Sequence, residues 1–185
     1  MLTRILAFLL ETAFFMLIAA ALLRAWMNGL RVSMTGQPGS FVMALTDWLV
    51  KPLRRSLPKP LARSPVDWAS VTAAALMALM YALLWWLLLG LQAGGMALDP
   101  ATLVGLLLIA VKLLVRVALQ TLFVLVLGYA LLSWVQPGSP AYGLLARLSE
   151  PLLTPLRRVI PSIGGVDLSA LVLLVLLQIG MMVLI

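Results

Sequence analysis

The sequence predicts an all-α polytopic membrane protein of four transmembrane helices, arranged as two parallel helical-hairpin repeats with amphipathic interfacial helices in the intervening loops. Three observations predict it. The first is composition: of 185 residues 64% are hydrophobic and 10% charged, and the mean hydropathy is +1.14. A soluble domain cannot hide that much apolar surface in one core. The second is a set of four long apolar runs, each near the ~20 residues of helix needed to cross a hydrocarbon layer of roughly 30 Å. The third is an internal echo, in which Pro52-Leu-Arg-Arg-Ser-Leu-Pro58 returns as Pro155-Leu-Arg-Arg-Val-Ile-Pro161.

The echo extends in both directions. Thr46-Asp47 stands before Pro52 as Ser149-Glu150 stands before Pro155, and Asp67 precedes one apolar run as Asp167 precedes another. A duplication of this kind sets the architecture before single residues are weighed. It divides the chain into a first repeat over 1–92 and a second over 93–185.

The first run covers about 5–26. Its interior carries one charge, Glu11, and it closes on Arg24 and Trp26, residue types that anchor at membrane interfaces. A cleaved signal peptide is the alternative reading, and Glu11 together with the length of the run argues against it. The second run, about 70–91, carries Tyr81, Trp85 and Trp86 towards its far end. After the Gly94-Gly95 break, Asp99-Pro100 reads as a helix cap with a first-turn proline. Residues 101–111 then form either an interfacial helix or one end of a longer third helix, whose membrane portion is placed at about 113–134. The fourth run, about 168–185, spans about 27 Å as a helix.

Charge placement orients these runs. Of 13 basic residues, Arg24, Arg31, Lys51, Arg54, Arg55, Lys59 and Arg63 fall in the first loop region and Arg147, Arg157 and Arg158 in the second. Only Arg4, Lys112 and Arg116 lie towards the other side. The positive-inside rule therefore places loops 27–67 and 135–167 in the cytoplasm and the termini on the outer side. In the second loop, Ser139-Pro140 reads as a cap and first-turn proline, followed by an apolar stripe of Leu144, Leu145, Leu148, Leu152 and Leu156. Pro151 and Pro155 are expected to bend or break that helix. In the first, Phe41, Leu45, Trp48 and Leu49 form a comparable stripe. Short amphipathic helices of this sort lie in the headgroup plane.

With no cysteine and no histidine, the chain has no disulfide, thiolate nucleophile or imidazole base, and lacks the usual ligands of zinc, haem and iron–sulfur clusters. No enzyme activity, cofactor or metal is expected. Met77, Met80, Met181 and Met182 read as packing residues rather than a copper path. Ala74, Ala75 and Ala78 suit close helix packing.

The pattern Leu132-Ser133-Trp134, Pro140, Glu150-Pro-Leu-Leu-Thr-Pro-Leu-Arg-Arg-Val-Ile-Pro161 and Gly164-Gly-Val-Asp-Leu-Ser169 resembles the YggT family, called YlmG in some lineages. The resemblance covers the whole chain, since bacterial members resemble two tandem copies. Leu23-Arg-Ala-Trp26, Pro52 to Pro58 and Asp67 supply the weaker first copy. Ala170 stands where the family often has proline, and the first copy has Ala62-Arg-Ser-Pro65 in place of the paired glycines. The resemblance implies a small multipass protein of the bacterial inner membrane. It also implies roles linked to cytochrome b6f assembly in plastids, to division or nucleoid distribution, or to osmotic and ion stress, none with a catalytic mechanism.

Three groups of residues are candidates for function. Arg54, Arg55, Arg157 and Arg158 offer a basic patch for anionic headgroups or an acidic partner segment, at about 1 kcal/mol each near an anionic surface. Their alternative role is to fix topology. Nucleic acid is not an expected partner, because no aromatic is interleaved with these arginines. Gly164, Gly165 and Asp167 read as a turn and an N-cap, with an ion or phosphate site as the alternative; as a cap alone, Asp167→Ala costs about 1 kcal/mol. Lys112 and Arg116, which with Gln120 share one helical face, are the candidate partners of Glu11. That charge set inside a span is an ion pair between repeats, a group of snorkelling side chains, or a proton or cation relay. The expectation is a non-enzymatic scaffold or assembly factor, binding membrane-protein or division partners, a second copy of itself, or anionic lipid through its loops. The alternative is a small transport or ion-homeostasis protein using the Glu11 and Arg116 face.

Overall fold

A computed structural model of the chain describes residues 1–56, 58, 64, 66–93, 99–160 and 167–184. Among the described residues the protein is all-helical. In order the helices are α1 (Leu2–Gly29), α2 (Gly39–Ser56), α3 (Trp68–Ala93), α4 (Pro100–Val135), α5 (Pro140–Arg157) and α6 (Leu168–Val183). Three of them are long and apolar enough to cross a membrane, over Thr3–Gly29, Trp68–Gly90 and Pro100–Val135, while α6 is a shorter apolar helix. At 1.5 Å per residue α6 is about 24 Å long, near the lower limit for a span.

Residues 101–111 are continuous with the rest of α4. The reason is local: after Pro100 no proline falls before Trp134, and the Leu- and Ala-rich run carries Gly105 and Gly128 within it. The resulting 36-residue helix is about 54 Å long, longer than a bilayer core is thick. Its start is capped as the Asp99-Pro100 pair predicts, with the Thr102 amide donating to Asp99 Oδ1 at 2.9 Å.

The chain forms two compact units, Met1–Val117 and Ala118–Ile185, dividing within α4. In the first, α1 and α3 pack along one another through small residues. Ala21, Ala74, Ala78 and Ala82 are fully buried with Ile18, Met77, Ala110 and Val117. Without Cβ branches in the way the helix backbones approach closely, which is how apolar helices associate where no hydrophobic effect separates them from lipid. Met77 is therefore core packing, while Met80 is half exposed. Phe14, Tyr81 and Trp85 extend this contact, with ring centroids 5.8 and 6.1 Å apart.

Helix α1 stops by a Schellman-type closure. The Val32 amide reaches back to the Met27 carbonyl at 2.9 Å, and Arg31 takes a left-handed φ of 53°, a position usually given to glycine. Gly39, at the start of α2, has a different constraint: a Cβ there would come within 2.6 Å of the Met34 Cα, so no larger residue fits. From there α2 packs back across α1 and α3, burying Val42, Thr46 and Val50.

In the second unit, Val126, Tyr129, Leu153, Ala170, Leu173 and Leu177 form one core from α4, α5 and α6. Ser139 caps α5 by accepting from the Tyr142 amide at 3.1 Å, with Pro140 in the first turn. Of the bend or break expected at Pro151 and Pro155, the break does not occur, since α5 runs through both to Arg157, as α2 runs through Pro52. All three prolines lie on exposed positions. The carbonyls they leave without a helical partner therefore face the surroundings of the unit rather than its core.

Candidate functional site

The polar side chains of each unit gather where its loop helix meets the next apolar helix. In both copies the organising contact joins the first arginine of the Pro-Leu-Arg-Arg elbow to the aspartate that opens the following helix. Arg54 Nη2 lies 2.7 Å from Asp67 Oδ2, and Arg157 Nη2 lies 2.6 Å from Asp167 Oδ2.

In the first unit, Asp67 is 8% exposed and receives several donors on its two oxygens. Asn28 of α1 donates at 2.6 Å and the Ser70 hydroxyl at 2.8 Å to Oδ2, while the Ser70 amide donates to Oδ1 at 3.4 Å. Burial alone would raise this carboxyl. Ser70, Asn28 and Arg54 outweigh it and hold the group below the ordinary aspartate range. Four residues before Asn28, Arg24 is only 5% exposed inside the helix packing. Its Nη1 donates to Thr46 Oγ1 and to Asp47 Oδ1, each at 2.8 Å. Lys51 closes the group on Asp47 Oδ2 at 2.7 Å. Lys51 first, against the opposing effect of burial, and then Arg24 keep Asp47 below its ordinary value. Arg24 Nε has no hydrogen-bond partner, so this guanidinium is held on one edge only.

The second unit builds the same elbow with different neighbours. Arg157 places both Nε, at 3.0 Å, and Nη2 on Asp167 Oδ2, and Nη2 also donates to the Tyr129 hydroxyl at 2.7 Å. Tyr129 stacks on Tyr142 with centroids 5.6 Å apart, and the guanidinium carbon sits 5.9 Å from its ring centre. Asp167 Oδ1 caps α6 through the Ser169 amide at 3.1 Å. Burial would raise Asp167 too, yet Arg157 and then Ser169 hold it low. Burial pulls the other way on Arg157, and its bond to Asp167 raises it in turn.

The sequence candidates therefore separate. Asp167 and Asp67 cap as expected and are also ion-paired, which spacing alone did not reveal. Arg54 and Arg157 are ion-paired to these aspartates, although both remain exposed. Arg55 and Arg158 are exposed, with no ion pair among the described residues. Gly164 and Gly165 lie outside the described residues. Glu11, Lys112 and Arg116 are exposed on the first unit and make no ion pair among the described residues, although Glu11 and Arg116 both lie within electrostatic reach of Tyr81. No cluster of candidate metal ligands occurs among the described residues.

Sequence reasoning missed Arg24, Asn28 and Tyr129 as partners. One signal was available, because an arginine and an asparagine four apart on an apolar helix share a face and need polar partners there.

Comparison with known proteins finds the family pattern described as CCB3/YggT over residues 3–88 and 107–185, one segment in each repeat. The chain is 33% identical over 175 residues to the protein YggT of Escherichia coli strain K12, covering 94% of this chain and 86% of that one. It is 32% identical over 173 residues to a Vibrio alginolyticus protein encoded in the region 3′ of proC, covering 93% and 89%. A Haemophilus influenzae protein is 30% identical over 157 residues, covering 84% and 78%. No solved structure matches.

Proposed function

The chain belongs to the CCB3/YggT family, and from that premise we propose that it is a non-enzymatic scaffold or assembly factor of the bacterial inner membrane. It holds a membrane-protein or division partner at the cytoplasmic end of its second repeat, through an acidic segment of that partner. One observation carries this reading. In each elbow the first arginine is ion-paired to the helix-opening aspartate, while the second, also exposed, makes no ion pair among the described residues.

Two charged donors, Nε and Nη2, on the single oxygen Oδ2 of Asp167 remove Arg157 from competition and stiffen the elbow. Arg158 then projects from a rigid base, which lowers the ordering cost of docking. Its guanidinium suits a carboxylate on the partner. Site-specific crosslinking in native membranes tests the proposal. Arg158→Gln is expected to lose the crosslinked species at unchanged membrane level, and an unchanged set of species overturns it.

A further inference from the structure

We propose that the outer face of α2 is a binding site for anionic phospholipid headgroups of the bilayer that the chain spans. It goes beyond the partner-docking reading, which rests on the second repeat, and stands on the first unit alone.

Helix α2 has two faces. Gly39, Val42, Thr46 and Val50 are buried against α1 and α3. Opposite them, Phe41, Trp48, Lys51 and Arg55 follow one another at spacings of seven, three and four, and so form a single stripe. Phe41 is 53% and Trp48 60% exposed, while Lys51 and Arg55 are exposed beyond them. Aromatic residues thus occupy one part of the stripe and cations its C-terminal part.

The occupant follows from the attachment of α2 and from its charge. Both ends of α2 are tied to helices that are long and apolar enough to span a membrane, so the loop helix is held at the membrane end of the α1–α3 pair. Two large exposed rings in water are costly, and tryptophan and phenylalanine at the headgroup level are where such rings are stabilised. Trp48 Nε1 donates to the Leu45 carbonyl of its own helix at 2.8 Å, so its ring enters the acyl boundary without an unsatisfied donor.

Arg55 has no ion pair among the described residues. Lys51 pairs with Asp47, but its side chain is 66% exposed, and a surface pair of that kind is weak enough for a phosphate to compete. The α5 helix provides a contrast within the same chain. Its outer positions carry Gly143, Arg147, Glu150 and Pro151, with Arg158 at its C-cap, and it exposes no large hydrophobic residue. Mixed charge without aromatic anchors does not make a lipid-binding face.

The test uses the full-length chain in bilayer discs of phosphatidylcholine with a minor fraction of spin-labelled phosphatidylglycerol, reading the fraction of label immobilised on the protein. Excess association of phosphatidylglycerol over spin-labelled phosphatidylcholine is expected, and Lys51→Gln with Arg55→Gln is expected to reduce it, by up to roughly fivefold per charge. Arg147→Gln, which removes one charge from α5, is expected to leave it unaltered, whereas Arg55→Gln alone, also a loss of one charge, is expected to reduce it. Equal association of the two lipids with the parent chain, or an equal loss in Arg147→Gln, overturns the proposal.

Because the sequence contains no cysteine, single labels provide a second measurement that does not depend on the arginine variants. A fluorophore on Trp48→Cys is expected to be quenched by lipid carrying a shallow acyl nitroxide, and one on Arg147→Cys to be quenched by aqueous iodide instead. Aqueous quenching of both labels overturns the proposal whatever the second repeat binds.

Discussion

The two elbows use one contact for the same purpose and support it differently. Around Arg54 and Asp67 the supporting groups come from α1, where Asn28 reaches the carboxylate and Arg24 reaches across to Thr46 and Asp47. Around Arg157 and Asp167 support comes from aromatic rings, Tyr129 and Tyr142. In the sequence alignment of the repeats, Leu132-Ser133-Trp134 stands where the first has Arg24-Ala25-Trp26. The buried hydroxyl that receives Arg24 in the first copy, Thr46, becomes Ser149 in the second, equally buried and with Oγ unpartnered. The two units thus share the arginine–aspartate ion pair, one beside a buried guanidinium and the other beside stacked tyrosines. The difference teaches that the arginine–aspartate pair is the shared device and that the groups around it were free to change.

The comparison can be broken most severely at Arg24. Replacing it with the residue of the second copy, Arg24→Leu, removes the buried donor to Thr46 and leaves Asp47 with Lys51 alone. Hydrogen bonds of this charged, buried kind are each worth about 1.5–3 kcal/mol, and two are lost, so the first unit should lose on the order of 3–5 kcal/mol, read as a lower unfolding temperature in detergent. An unchanged transition would mean that Lys51 alone is enough for Asp47.

Next in size are the two aspartates. Asp67→Ala removes a cap and several donors' acceptor from a mostly buried site, and a loss of about 2–3 kcal/mol is expected. Asp167→Ala should cost less, about 1–2 kcal/mol, because its ion pair is more open to the surroundings. Both exceed the value of about 1 kcal/mol for a cap alone, and equal losses in the two variants would remove the distinction between the elbows.

Smallest is the effect of pH. Asp47, Asp67 and Asp167 all have folded values lowered from the ordinary 3.8. A depressed carboxyl contributes stability that is fully present above its unfolded value and lost as pH falls through its folded value. The elbows should therefore be indifferent to pH between 7 and 5 and loosen only below about 4, measured as protease access at the loops. Loosening near pH 6 would contradict the assignment of these carboxylates as the holding groups.

Much of this was legible from residue order. The helical class, the cap at Asp99-Pro100, the start of α5 at Ser139-Pro140 and the role of Asp167 are all local features, decided by a few neighbouring residues. The intact course of α5 through Pro151 and Pro155 was not legible, because whether a proline breaks a helix depends on where the freed carbonyl points. The division of the arginine pairs was equally hidden. Arg54 and Arg55 are neighbours of one type, and only the turn of the helix beneath them sends one to Asp67 and the other outward.

Sequence by itself determined the apolar helical character, the echoed Pro-Leu-Arg-Arg motif, the family resemblance and the apolar runs, since these follow from composition and spacing summed over many residues. Tertiary structure alone decided that Arg24 and Asn28 serve the first elbow and Tyr129 the second, and that Phe41 and Trp48 lie with Lys51 and Arg55 on a face no other helix covers. Such contacts join residues 20 to 40 positions apart, and they depend on how the helices pack against one another, which no short stretch of sequence specifies.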